Sequence, residues 1–135
     1  HEENFNIITL LGNTIMEALD IASMVRLFKQ CYERLKPGGI FVIDDIPGLF
    51  WPSVAEGFWQ NGISEEGDIR LAWDLRDQIF TLRFDESVND EAPPRPFERK
   101  FRLWTGGEIE LLAWSAGLKG PKTAPGVLVM KRPAV

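Results

Sequence analysis

Two short, almost wholly apolar runs, residues 5–11 (FNIITLL) and 40–43 (IFVI), bracket a single amphipathic helical pattern, and that arrangement restricts the fold more than any other feature. Antiparallel strands with one wet face alternate, whereas continuous apolar strands belong to parallel sheets covered by helices. Both runs therefore read as strands buried on both faces. Between them Ile21, Met24, Val25, Phe28, Cys31, Tyr32 and Leu35 recur at three- and four-residue steps, predicting a helix over 21–36 with Arg26, Lys29, Gln30, Glu33 and Arg34 on its wet side. Asp20 stands where an N-cap belongs, and Thr14 with Glu17 has capping-box spacing. Lys36-Pro37-Gly38-Gly39 reads as the helix end: a cation in the last turn, a proline that cannot continue it, and glycines for positive φ. Two buried strands joined by a helix make a right-handed βαβ unit, so they should run parallel. The turns Gly12-Asn13 and Asp44-Asp45 then lie at one end of the sheet, where open α/β sheets place ligands. A carboxylate there can orient a substrate amine or hydroxyl or accept its proton.

After Asp45 the character changes. Residues 47–67 carry Phe50, Trp51, Phe58 and Trp59 without a sustained period and read as a loop. From Ile69 the period becomes two: Ile69, Leu71, Trp73 and Leu75, then Phe80, Leu82 and Phe84 beyond a turn at Asp77-Gln78. A polar loop with Pro93, Pro94 and Pro96 leads to a third alternating strand marked by Phe97, Phe101 and Leu103. These three form an antiparallel subsheet. Arg70, Arg76, Arg83, Arg99 and Arg102 are assigned to its polar faces, opposite Asp74, Asp85 and Glu98. Thr105 and Glu108 form a capping box for a helix whose inward stripe is Ile109, Leu112, Ala113 and Ala116, with Gly117 as its C-cap and Trp114 on the outer side as a candidate subunit contact. Residues 121–126 read as a turn, and 127–130 as the last strand.

Composition narrows the function classes. With 135 residues, one domain is expected. A net charge of −5 provides no basic field for a nucleic-acid backbone, so none is expected as partner. No apolar run approaches the ~18 residues of a membrane helix, and no signal-peptide pattern opens the chain. Cys31 lies in a helical apolar stripe as a core residue, and a lone cysteine fits a reducing, cytoplasmic setting. Paired aspartates and one histidine, His1, do not make a metal site.

The order of strand, helix, Leu35-Lys36-Pro37-Gly38-Gly39, apolar strand, acidic turn and Thr105-x-x-Glu108 helix ending Ala116-Gly117-Leu118 resembles the C-terminal half of a class I S-adenosylmethionine-dependent methyltransferase of the small-molecule type. Leu11-Gly12-Asn13-Thr14 is similar to the end of that family's fourth strand. The resemblance implies a Rossmann-like α/β fold with parallel strands, helices and a terminal antiparallel hairpin. It implies S-adenosylmethionine as cofactor, with Leu11, Gly12 and Asn13 against its methionine part, and Asp44 and Asp45 as catalytic carboxylates. Residues 47–103 become a lid and subsheet insertion in which Phe50, Trp51, Trp59 and Arg70 would meet a small-molecule substrate. The family's glycine-rich cofactor turn has no counterpart here: Gly38-Gly39 precedes a strand, and Gly106-Gly107 belongs to a helix cap. The chain is therefore expected to be the C-terminal part of a longer domain, with an edge strand at residues 5–11 that could pair in a homodimer. The expected function is methyl transfer to a small-molecule N or O acceptor. The alternative is a non-catalytic half-domain serving as a dimerisation or binding module.

Overall fold

The computed structural model describes residues 4–44, 69–74, 76–84 and 97–134, and for 69–73, 82–84 and 97 the backbone alone. In chain order the elements are β1 (Phe5–Leu10), a 3-10 turn (Thr14–Glu17), α1 (Ile21–Arg34), β2 (Leu35–Asp44), β3 (Ile69–Asp74), β4 (Ile79–Phe84), β5 (Phe97–Arg102), α2 (Gly106–Ala116), β6 (Lys119–Ala124) and β7 (Val127–Lys131). They divide into two compact units, His1–Pro47 with Trp104–Val135, and Gly48–Leu103.

The first unit holds a sheet in the order β1-β2-β7-β6. β1 and β2 are parallel, with Ile7, Ile8, Thr9 and Leu10 opposite Ile40, Phe41, Val42 and Ile43, as the βαβ reading requires. β7 runs antiparallel to both β2 and β6. The helices α1 and α2 touch one another, α1 against β2 and α2 against β6, and so form one layer. Beneath them Phe28 meets Phe41 edge-on with ring centroids 5.3 Å apart. Met24, Leu35, Ile43, Ile109 and Met130 complete that buried layer. The helical stripe is narrower than its sequence pattern, because Ile21 and Val25 are exposed.

Local chemistry accounts for the helix ends. The Asp20 carboxylate accepts from both the hydroxyl and the backbone N–H of Ser23, each at 2.7 Å, and these bonds hold its carboxyl below the ordinary carboxylate value. Thr105 and Glu108 form the capping box in full, at 2.7 and 3.1 Å, and Gly117 ends α2 in the left-handed region at φ 88°. The Thr14–Glu17 box does not form: Thr14 sits inside the 3-10 turn and its hydroxyl donates back to the Leu11 carbonyl at 2.7 Å.

The largest departure from the sequence reading lies at residues 35–39. α1 stops at Arg34, and Lys36-Pro37-Gly38-Gly39 belongs to β2 as a bulge, where the register passes from Phe5 opposite Leu35 to Ile7 opposite Ile40. Gly39 is required by close approach, since a Cβ there would lie 2.9 Å from the Lys36 carbonyl oxygen and 3.0 Å from that of Asn6. The cation at the end of α1 is Arg132 in place of Lys36. Its guanidinium donates to the carbonyls of Tyr32, at 2.8 Å, and Leu35, and lies 4.5 Å from the centre of the Tyr32 ring. Its backbone pairs with the bulge through Gly38 N–H to Arg132 O at 3.0 Å and Arg132 N–H to Gly39 O at 2.9 Å.

The two edges of this sheet are unlike. β6 was read as a turn over 121–126 but is a strand, followed by a turn at Gly126. Lys119, Pro121, Lys122 and a register shift between Lys119 and Lys122 guard it against further pairing. β1 carries neither lysine nor proline. It is the edge strand expected of a part-domain, but the burial on both faces read from its apolar run is not met, since Phe5 is 44% and Ile7 56% exposed. In the fuller sheet that the resemblance implies it would have a second neighbour.

The second unit is the antiparallel sheet β3-β4-β5 expected from the period-two pattern. Phe80 and Phe101 are opposite in register and stack with centroids 5.2 Å apart. Three arginine assignments change. Arg99 stands opposite Leu82 and its guanidinium lies 4.9 Å over the Phe101 ring, so it shares the apolar face; residues 99 and 101 are two apart, which the polar-face assignment overlooked. Arg76 lies in the turn, not on a strand face, and Arg102 is buried.

The joint at residues 35–39 yields a prediction. Gly39→Ala should lower unfolding stability by about 1–3 kcal/mol through overpacking against backbone, and Arg132→Met by about 1–2 kcal/mol through the uncapped carbonyls, both read from urea titrations.

Candidate functional site

The parallel pairing of β1 and β2 brings their carboxyl ends together, with Leu10 opposite Ile43. Immediately beyond, Gly12 (φ 74°) and Asn13 (φ 60°) are two successive left-handed residues, a conformation that glycine and asparagine tolerate best. The turn is closed by Thr14 Oγ1 on the Leu11 carbonyl and by Met16 N–H on the Asn13 carbonyl at 3.0 Å. Asn13 N–H donates across to Asp44 Oδ2 at 2.7 Å, so the ends of both strands are tied directly. Leu11, Gly12 and Asn13 are exposed along this lip, and Asp44 is half-buried. A Cβ on Gly12 would meet nothing within 4 Å, so its glycine answers to backbone shape and leaves the lip open.

The structure thus brings together Leu11, Gly12, Asn13 and Asp44. Asp45, Phe50, Trp51 and Trp59 lie outside the described residues. Arg70 is placed by its backbone in β3, opposite Arg83, while Glu98 is the residue opposite Arg83 on the other side. The sequence reading named both ends of the Asn13–Asp44 link without foreseeing the link. The available signal was an asparagine after glycine at a strand end, level with an aspartate at the end of the next strand. Trp104, also unforeseen, is buried and donates from Nε1 to the Ala18 carbonyl at 3.0 Å, fastening the segment behind the lip.

Other candidate chemistry recedes. Cys31 is buried, and burial pushes its thiol up from 9.0 to about 11. Among the described residues no group of three or more His, Cys, Asp or Glu side chains could hold a metal ion. Among them, too, no helix is long and apolar enough to cross a membrane. Trp114 is 77% exposed on the outer side of α2, with Leu111 beside it in a shallow groove.

The fold is a Rossmann-like α/β fold shared with solved structures that include S-adenosylmethionine-dependent methyltransferases. The CcbJ methyltransferase of Streptomyces caelestis superposes with a TM-score of 0.65 at 17% identity, over 98% of this chain and 62% of its own. The PH0226 protein of Pyrococcus horikoshii OT3 gives 0.61 at 15% identity, over 97% and 55%. The sugar N-methyltransferase KedS8 of Streptoalloteichus sp ATCC 53650 gives 0.57 at 17%, over 97% and 57%. The chain therefore spans about three fifths of the length of these neighbours. No family model matches the sequence, and no curated protein does.

The Cys31 environment is open to test. Because burial pushes the folded thiol up to about 11 from the ordinary 9.0, labelling by a thiolate-selective reagent at pH 8 should be about 100-fold slower in the folded chain than in urea. The unfolded chain ionises first, so the stability gained by keeping this thiol neutral is complete below pH 9.0 and is lost as pH rises toward about 11.

Proposed function

We propose that the chain is the C-terminal part of an S-adenosylmethionine-dependent methyltransferase acting on a small-molecule N or O acceptor. The observation that carries this reading is the lip at the carboxyl ends of two parallel strands, tied by Asn13 and Asp44, in a fold whose solved neighbours include S-adenosylmethionine-dependent methyltransferases. Two of those neighbours are described as a sugar N-methyltransferase and a glycopeptide N-methyltransferase, which favours a polar small-molecule acceptor here.

The lip fits one side of such a cofactor: it is exposed, carries no side chain at Gly12, and presents backbone to an approaching ligand. Leu11, Gly12 and Asn13 would hold the methionine part. When bound, the cofactor supplies an electrophilic methyl group on a sulfonium. The chain's own task is to align the acceptor's lone pair and exclude water. By the resemblance, Asp44 and Asp45 would orient the acceptor, and Phe50, Trp51, Trp59 and Arg70 would meet the substrate. The glycine-rich turn and the ribose-binding carboxylate would come from polypeptide outside these 135 residues. A cytoplasmic location and a homodimer belong to the same proposal. The homodimer applies to the 135-residue chain by itself and is favoured by the β1 edge, free of lysine and proline, where two copies could pair while each β6 edge stops further growth.

Calorimetric titration with S-adenosylhomocysteine, on the 135-residue chain and on a longer parent chain, tests the reading. Binding heat is expected with the longer chain, and its absence there would leave the dimerisation module as the better account. Sedimentation should give twice 15.3 kDa for the short chain, reverting to 15.3 kDa in Ile7→Lys.

A further inference from the structure

We infer that Asp44 is a positioning residue whose carboxylate oxygen sets the shape of the cofactor-facing lip, so that the site uses its hydrogen-bond acceptor and not its charge. This rests on the methyltransferase reading above. Residues 11–16 form the turn that makes the lip. Two of the three bonds closing that turn are internal to it: Thr14 Oγ1 to the Leu11 carbonyl at 2.7 Å and Met16 N–H to the Asn13 carbonyl at 3.0 Å. They fix the turn's internal shape but not its place over the sheet. The third, Asn13 N–H to Asp44 Oδ2 at 2.7 Å, spans 31 residues and joins it to the end of β2.

Asn13 is left-handed (φ 60°, ψ 17°), and its N–H meets the end of the neighbouring strand. At a 3-10 N-terminus such an amide has no partner inside the turn, so a side chain or water supplies one. Asn13 makes no side-chain capping bond of its own. Here the Asp44 carboxylate accepts from it and at the same stroke ties the two strand ends together.

Asp44→Asn keeps an acceptor oxygen at the same reach, whereas Asp44→Ala removes it, so the pair separates acceptor from charge. On the 135-residue chain, amide hydrogen exchange read by NMR should show Asn13 protection within about threefold of wild type in Asp44→Asn and about tenfold lower in Asp44→Ala. In whichever chain binds S-adenosylhomocysteine, Asp44→Asn should bind within about threefold of wild type and Asp44→Ala about tenfold more weakly. The inference is overturned if Asp44→Asn is as impaired as Asp44→Ala, or if Asp44→Ala leaves Asn13 exchange and ligand affinity unchanged. Should Asp44→Ala fail to fold, Asp44→Asn decides alone: retained protection supports the inference and lost protection overturns it. If no wild-type chain binds S-adenosylhomocysteine while the exchange contrast persists, the methyltransferase reading fails and the positioning role stands.

Discussion

Everything functional in this chain depends on β1 and β2 running in the same direction. Parallel pairing cannot be made by a tight turn, so α1 must carry the chain back across the sheet, and its apolar side has to bury Met24 and Phe28 against β2 as it does so. The reward is geometric. Two strand ends emerge side by side, and the Gly12–Asn13 turn meets Asp44 there. An antiparallel arrangement would have sent Gly12 and Asp44 to opposite ends of the sheet.

The bulge at residues 35–39 is the cost of moving directly from helix to strand. α1 ends at Arg34 and β2 begins at Leu35, leaving no loop in which orphaned carbonyls can meet solvent freely. Gly38 and Gly39 absorb the change of direction, and Arg132 supplies the donors. Tyr32 links this joint to the end of α2: its ring lies under the Arg132 guanidinium, and a Cβ on Gly117 would come within 3.2 Å of it.

What could be read from residue order followed the range of the interaction. The α2 capping box, its C-cap glycine, the Asp20 cap and the three alternating strands depend on spacings of two to four residues, and each appears where its pattern placed it. The parallel βαβ unit was legible because continuous apolar runs imply cover on both faces. Distant partners were not legible. Lys36 looked like the helix-ending cation because it is adjacent, whereas Arg132 reaches Tyr32 from 100 residues away. The residue pattern alone read β6 as a turn, because Pro121 and two lysines resemble one, although the resemblance implied a terminal hairpin; at a sheet edge the same residues discourage pairing. At the candidate site, Leu11, Gly12, Asn13 and Asp44 were placed together by topology, yet the bond joining them required coordinates.

The Arg132 contact also bears on the order in which the molecule can be made. During synthesis α1 and the bulge leave the ribosome about 100 residues before the side chain that caps them, so the helix carbonyls of the nascent βαβ unit wait in water until β7 arrives. Translation and final closure of the sheet are therefore coupled: the strand that completes the centre of the sheet is the one that delivers the cap.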